Sequence, residues 1–172
     1  MISSDAWKKI KLVICDIDGV LTDGRVGYGA EDFIKFFHYR DGHWLKLAMR
    51  AGLMVGWLSG RKSKANTLRA NELGITFLKE NCTDKLASFE EILKEYHLNA
   101  DECFYIGDDV IDLPVMRRCG IAVAVADGVP ELDEAADFRT QNRGGCGAVC
   151  EAMRRLLAEQ GKLDEILERY RR

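Results

Sequence analysis

Apolar residues fall into short continuous runs along the chain, separated by stretches in which they recur every three or four positions. Ile10-Lys11-Leu12-Val13-Ile14-Cys15, Leu53-Met54-Val55-Gly56-Trp57-Leu58, Thr76-Phe77-Leu78, Cys103-Phe104-Tyr105-Ile106 and Ile121-Ala122-Val123-Ala124-Val125 are the runs. Such segments suit strands covered on both faces, as in a parallel sheet. Helical spacing fills the intervals. Residues 43–51 put Leu45, Ala48 and Met49 on one face, and residues 83–96 do so with Leu86, Phe89, Ile92, Leu93 and Tyr96. Residues 62–73 form a helix that Gly74 terminates. Shorter helices are predicted over 109–118 and 131–136, and one or two more over 148–170 with a break near Gly161. Strand alternating with helix predicts an α/β fold, a parallel sheet flanked by helices.

Residues 24–38 interrupt this rhythm. Val26-Gly27-Tyr28-Gly29 and Phe33-Ile34-Lys35-Phe36-Phe37 flank Ala30-Glu31-Asp32, a pattern that predicts a β-hairpin projecting from the sheet. Two strands are marginal alone, and the aromatics would be exposed on a single subunit. A subunit interface resolves both difficulties.

The length of 172 residues fits one domain, 1–172, with one sizeable core. A net charge of −3 argues against a nucleic-acid partner, which calls for a basic patch. The basic end Glu168-Arg169-Tyr170-Arg171-Arg172 is short and reads as a solvated helix end or an oligomer contact. No run approaches the roughly 18 apolar residues of a membrane helix. The first residues also lack the apolar stretch of a secretion signal. No membrane association and a cytoplasmic location are expected. Cysteines at 15, 82, 103, 119, 146 and 150 form no CxxC pair and match no zinc spacing. They are expected to be free thiols filling apolar space in a reducing compartment.

Polar clusters follow three of the apolar runs directly: Asp16 and Asp18, Ser59-Gly60-Arg61, and Asp108-Asp109. Ligands of open α/β sheets bind outside the carboxyl ends of the strands, so all three should converge on one edge. Asp16 and Asp18 are two residues apart, and an extended backbone would point both to one side. Paired carboxylates repel unless a cation sits between them, and oxygen donors suit Mg²⁺. A turn with incidental acids is the alternative for Asp-x-Asp-Gly taken alone. Asp108 and Asp109, with Asp112 beyond them, would complete an acidic metal site; a helix N-cap is the other reading for either. Ser59-Gly60-Arg61, placed between strand and helix, would offer a hydroxyl and free N–H groups to a phosphate. Lys85 near the start of a helix opposes the helix dipole, which a bound phosphoryl group would justify.

Asp16-Ile17-Asp18-Gly19-Val20-Leu21-Thr22-Asp23, Ser59-Gly60-Arg61, Lys85 and Gly107-Asp108-Asp109-Val110-Ile111-Asp112 together resemble the four motifs of the haloacid dehalogenase superfamily phosphatases. The segments Tyr39-Arg40-Asp41-Gly42, Ala122-Val123-Ala124-Val125-Ala126-Asp127 and Gly144-Gly145-Cys146-Gly147-Ala148-Val149 are similar to the branch acting on 3-deoxy-D-manno-octulosonate 8-phosphate. The resemblance implies a Rossmann-like fold without a cap domain. It also implies a homotetramer in which the hairpin and a neighbour's C-terminal segment, about 146–172, close the site. Asp16 is then the nucleophile and Asp18 the general acid and base. Mg²⁺ rests on the Asp16 carboxylate, the Asp18 carbonyl and Asp108. Ser59 and Lys85 hold the phosphoryl oxygens, while Asp109 and Asp112 orient metal waters or Lys85. The substrate, a phosphorylated keto sugar acid, would meet Asp18, Arg40, Asp41, Gly42, Gly60, Arg61, Arg69 and Lys85. For Arg69 a plain helix-surface charge is the competing reading, and Arg143 would reach a neighbour's site. His38 stands where Asn is common in that branch and Lys46 where Arg is common, which leaves open a nonulosonate 9-phosphate. A non-catalytic regulatory or assembly subunit of the same fold is the alternative of another class.

Overall fold

The strands of the computed structural model, which describes residues 2–30 and 32–171, are β1 (Leu12–Cys15), β2 (Gly27–Tyr28), β3 (Phe33–Ile34), β4 (Met54–Leu58), β5 (Phe77–Lys79), β6 (Cys103–Gly107), β7 (Ile121–Ala124) and β8 (Phe138–Arg139). Glu31 in the predicted hairpin turn, Met1 and Arg172 at the basic end lie outside the described residues. Six strands pair in parallel in the order β5-β4-β1-β6-β7-β8, and β2 and β3 form a separate antiparallel pair. The helices are α1 (Ser4–Lys9), α2 (Tyr39–Arg50), α3 (Lys64–Leu73), α4 (Lys85–Glu95), α5 (Leu113–Met116), α6 (Ala148–Glu159) and α7 (Leu163–Glu168).

Strand side chains alternate between two separate cores. Val13, Cys15, Phe104, Ile106, Ile121 and Val123 face the layer formed with Trp7, Trp44, Leu45, Val149, Met153 and Leu156. Leu12, Ile14, Cys103, Tyr105, Ala122 and Ala124 face Phe89, Ile92, Val115, Met116 and Leu132. Leu12, Val13 and Ile14 are fully buried, each stabilising the fold by about 1.5–3 kcal/mol relative to exposure. Burial on both faces explains why these strands read as continuous apolar runs.

Several boundaries differ from the sequence reading. Helix α2 begins at Tyr39, four residues before the predicted start at 43, and so includes Arg40, Asp41 and Gly42. Helix α3 begins at Lys64 rather than 62, because Ser63 caps it through an Oγ that accepts from the Ala65 amide. Ser59-Gly60-Arg61 is therefore loop, not helix N-terminus. Gly74 does end α3, at φ 72°. The segment predicted helical over 109–118 is a 3₁₀ turn, Val110–Asp112, followed by the short α5. That predicted over 131–136 is a 3₁₀ helix, Pro130–Glu134. The short elements α1 and β8 carried no periodic signal. All six cysteines are free, but Cys146 is exposed and fills no core.

The hairpin is present and shorter than its pattern suggested. Tyr28 and Phe36 are exposed, whereas Phe37 stacks on the buried Trp57 with centroids 5.9 Å apart. Among the described residues, this two-stranded pair is the only sheet structure between β1 and α2. No helix of the described residues is long and apolar enough to cross a membrane.

Candidate active site

The acidic side chains emerge where the central strands end. The Asp16 amide donates to the Ile106 carbonyl at 3.0 Å, carrying the β1–β6 ladder one step further. The Ser59 amide does the same with Lys79 between β4 and β5, at 2.9 Å. These extensions bring Asp16, Asp18, Ser59, Gly60, Arg61, Asp108 and Asp109 together with Gly24, Val26 and Ile111 around one cleft of about 390 Å³. Convergence at the carboxyl edge of the sheet is the expected place for a ligand.

Lys85 enters from below, at the first position of α4. Its Nζ lies 2.8 Å from Asp16 Oδ1 and 2.6 Å from Asp112 Oδ1, with all three side chains buried. Burial opposes the charge on Lys85, but the Asp16 and Asp112 carboxylates outweigh it and push the ammonium up to about 12. Asp112 is saturated. Its Oδ1 also accepts from the Tyr105 hydroxyl at 2.6 Å, and its Oδ2 from the amides of Asp108 and Asp109 at 3.0 and 3.2 Å.

Asp108 is the opposite case. Its Oδ1 is buried and has no hydrogen-bond partner. Burial and the facing Asp16 carboxylate raise Asp108 to about 9, and burial raises Asp16 to about 6 against the pull of Lys85. The chain makes room for this crowding at Gly19, with φ 101°, where a Cβ would stand 1.9 Å from Asp108 Oδ2. Carboxylates under mutual repulsion, one with an orphaned oxygen, could hold a cation between them. Oxygens of Asp16, Asp108 and Asp112 lie within 4.8 Å of one another. Because Asp112 is already satisfied by four donors, Asp16 and Asp108 are the ligands that fit a divalent metal; an all-oxygen set favours Mg²⁺.

The remaining sequence candidates stand elsewhere. Ser59 is buried at the cleft, and its Oγ accepts from the Arg61 amide at 3.2 Å. Asp109 is exposed and accepts from the Val110 amide. Arg40 lines a different depression with Asn142, Cys146, Gly147, Cys150, Glu151 and Arg154. The buried Asp41 receives the amides of Gly147 and Cys150 at 3.2 and 2.7 Å, tying α2 to the start of α6. Gly42 lies against the Arg69 guanidinium, which pairs with Glu72 at 2.7 Å. Arg143 is largely exposed and faces Asp127 at 3.6 Å. Two residues at the site were missed from sequence. Tyr105 was read only as part of an apolar run, though a hydroxyl in a doubly buried strand needs a partner. Lys35, at the hairpin exit, pairs with Asp18 at 2.6 Å. Its signal was the alternation of Phe33, Lys35 and Phe37.

Residues 51–153 match the family model for haloacid dehalogenase-like hydrolases. The chain belongs to that family. This hydrolase is 41% identical over 168 residues to the 3-deoxy-D-manno-octulosonate 8-phosphate phosphatase KdsC of Escherichia coli, covering 95% of this chain and 89% of the relative. Its fold superposes on a subfamily III A hydrolase from Legionella pneumophila with a TM-score of 0.92 and 39% identity, covering 97% and 92% of the two chains. The 3-deoxy-D-manno-octulosonate 8-phosphate phosphatase of Moraxella catarrhalis, solved with magnesium, phosphate and KDO, gives a TM-score of 0.94 at 32% identity and 97% coverage of both chains. This hydrolase thus closely resembles the KDO 8-phosphate phosphatases and shares the capless architecture.

Proposed function

We propose that this hydrolase is a magnesium-dependent phosphomonoesterase that converts 3-deoxy-D-manno-octulosonate 8-phosphate to the free sugar acid and phosphate. The observation that carries this reading is the buried Asp16 carboxylate, held by Lys85 on one side and faced by the unsatisfied Asp108 on the other. A carboxylate so placed is fixed for in-line attack, and its neighbours offer the charge compensation that an anionic substrate requires.

Asp16 attacks phosphorus, forming a P–O bond to its carboxylate as the bond to the sugar oxygen breaks. Asp18 gives a proton to the departing oxygen and then takes one from the water that hydrolyses the aspartyl phosphate. Lys85 and Ser59 hold equatorial phosphoryl oxygens, with Gly60 and Arg61 beside them. Asp16, the Asp18 carbonyl and Asp108 would hold Mg²⁺, which supplies neutralisation of the charge on nucleophile and phosphate. Asp112 keeps Lys85 in place, and Asp109 would orient water beside the metal.

The sugar end is assigned to Arg40, Asp41, Gly42 and Arg69. Because Arg40 and Arg69 line depressions away from the acidic cleft of their own chain, they are proposed to serve a neighbouring subunit of a tetramer, with the buried Asp41 and Gly42 holding the first turn of α2 that carries Arg40. The exposed Tyr28, Phe36 and Tyr39 support an interface there. A cytoplasmic location is part of the same proposal.

The test is phosphate release from a panel of phosphorylated sugar acids, with Mg²⁺ and with a chelator. The expected outcome is Mg²⁺-dependent turnover with kcat/KM highest for the eight-carbon acid. A hundredfold preference for an unrelated phosphate, about 2.7 kcal/mol of transition-state binding, would overturn the substrate. A preference for a nine-carbon acid would move the assignment to the nonulosonate 9-phosphates.

A further inference from the structure

Backbone alternation at the hairpin exit turns Ile34 and Phe36 to solvent, at 49% and 76% exposure. Lys35 points the other way, and its side chain is only 6% exposed. A lysine normally keeps its ammonium in water, so burial of this kind calls for a partner. Among the described residues its one ion-pair partner is Asp18, with Nζ 2.6 Å from Oδ1.

The segment that carries Lys35 is fastened on both sides. Before it, the Asp32 carboxylate accepts from the Lys64 amide at the start of α3 and faces the Ser63 hydroxyl. After it, Phe37 stacks on Trp57 in β4, with ring planes within 10° of parallel. The ammonium is thus held over Asp18 by the folded core at two points, not by a free loop. A fixed, largely desolvated pair restrains its carboxylate far more than an exposed one, whose ions move and are screened.

Asp18 needs such restraint. A carboxyl group that delivers a proton to a leaving oxygen must turn one oxygen toward it, and small misplacements of a catalytic group are costly. Lys35 pairs with Asp18 Oδ1 by charge, its Nζ making no hydrogen bond, which assigns Oδ2 to the leaving group.

We propose that Lys35 is a positioning residue for Asp18, fixing one carboxyl oxygen so that the other addresses the leaving-group oxygen. The hairpin then takes part in the leaving-group step as well as in covering the site. This inference rests on the assignment of Asp18 as proton donor.

Substituted phenyl phosphates test it, since their shape is nearly constant while the need for a proton on the departing oxygen is graded. The quantity to follow is kcat/KM, which covers transfer to Asp16 and departure of the phenol. For Lys35→Met the loss should grow across the series, reaching about tenfold or more between the best and the poorest leaving group, within the range expected of proton transfer by a positioned side chain. Asp18→Asn should steepen the same dependence further, and Lys35→Arg should restore most of the parental slope. A uniform loss across the series in Lys35→Met, beside a steepened slope in Asp18→Asn, overturns the role of Lys35 and leaves that of Asp18 intact. An unchanged slope in Asp18→Asn overturns the assignment of Asp18 and the inference with it. Thermal denaturation of Lys35→Met shows whether it folds; if it does not, the slope of Lys35→Arg against the parent decides, and a slope as steep as that of Asp18→Asn removes the inference.

Discussion

Asp112 and Asp108 leave the same turn four residues apart, and the protein treats their carboxylates in opposite ways. Asp112 receives Lys85, the Tyr105 hydroxyl and two backbone amides, so both of its oxygens are matched by donors. Asp108 is pressed against Asp16 with an oxygen that no donor reaches. The first arrangement is a scaffold. It is low in energy as folded and fixes Lys85 with respect to Asp16. The second is high in energy until a cation arrives, which is how a folded chain holds binding energy ready for a ligand. Two carboxylates in one motif therefore do different work, and the difference lies in their donors.

The largest expected effect is on turnover. Asp16→Asn should reduce phosphate release by at least about ten-thousand-fold, the scale of removing a nucleophile, while the protein stays folded by circular dichroism. Retained turnover would take Asp16 out of its role and dissolve the contrast between a reactive and a supporting side.

Next in size is stability. Removing Asp112 leaves a buried ammonium with half of its compensation, so Asp112→Ala should cost about 3–5 kcal/mol in urea unfolding. Asp108→Asn replaces a carboxyl group that burial and the facing Asp16 already hold back from ionising. Without metal it should be no less stable than the parent, and it should lose the rise in Tm that Mg²⁺ gives. The pH dependence of the parent sharpens the point. Asp108 gives up its proton near pH 4 when unfolded and at about 9 when folded, so between those values the folded state binds more protons. Stability of the metal-free protein from this group must then fall as pH rises through that window, and Asp108→Asn should flatten that fall. Equal destabilisation by both substitutions would break the comparison. The smallest effect is Tyr105→Phe, which withdraws one of four donors from Asp112 and should cost about 1–2 kcal/mol by the same measurement.

Sheet and nucleophile were legible because both have strong local signals. Strands buried on two faces need uninterrupted apolar residues, and acids placed directly after them fall at the carboxyl edge by topology alone. What was not legible depends on distant contacts. Arg40, Asp41 and Gly42 are helical because Asp41 caps α6, more than a hundred residues away. Lys35 meets Asp18 only once Phe37 has found Trp57. The start of α3 is set by the Ser63 cap, whose Oγ accepts from the Ala65 amide; a helix begun at Lys62 passes over that cap, and boundaries of one or two residues are the part of a helix that periodicity resolves poorly.

Gly144 and Gly145 have a consequence for cooperativity. A Cβ on Gly144 would fall 1.6 Å from the Gly19 carbonyl oxygen, and the Gly145 amide donates to the Val20 carbonyl at 2.8 Å. The turn that carries the nucleophile is thereby clamped by the chain leading into α6. These two distant parts of the sequence should open to solvent as one unit in hydrogen exchange, so loosening the C-terminal third loosens the catalytic turn with it.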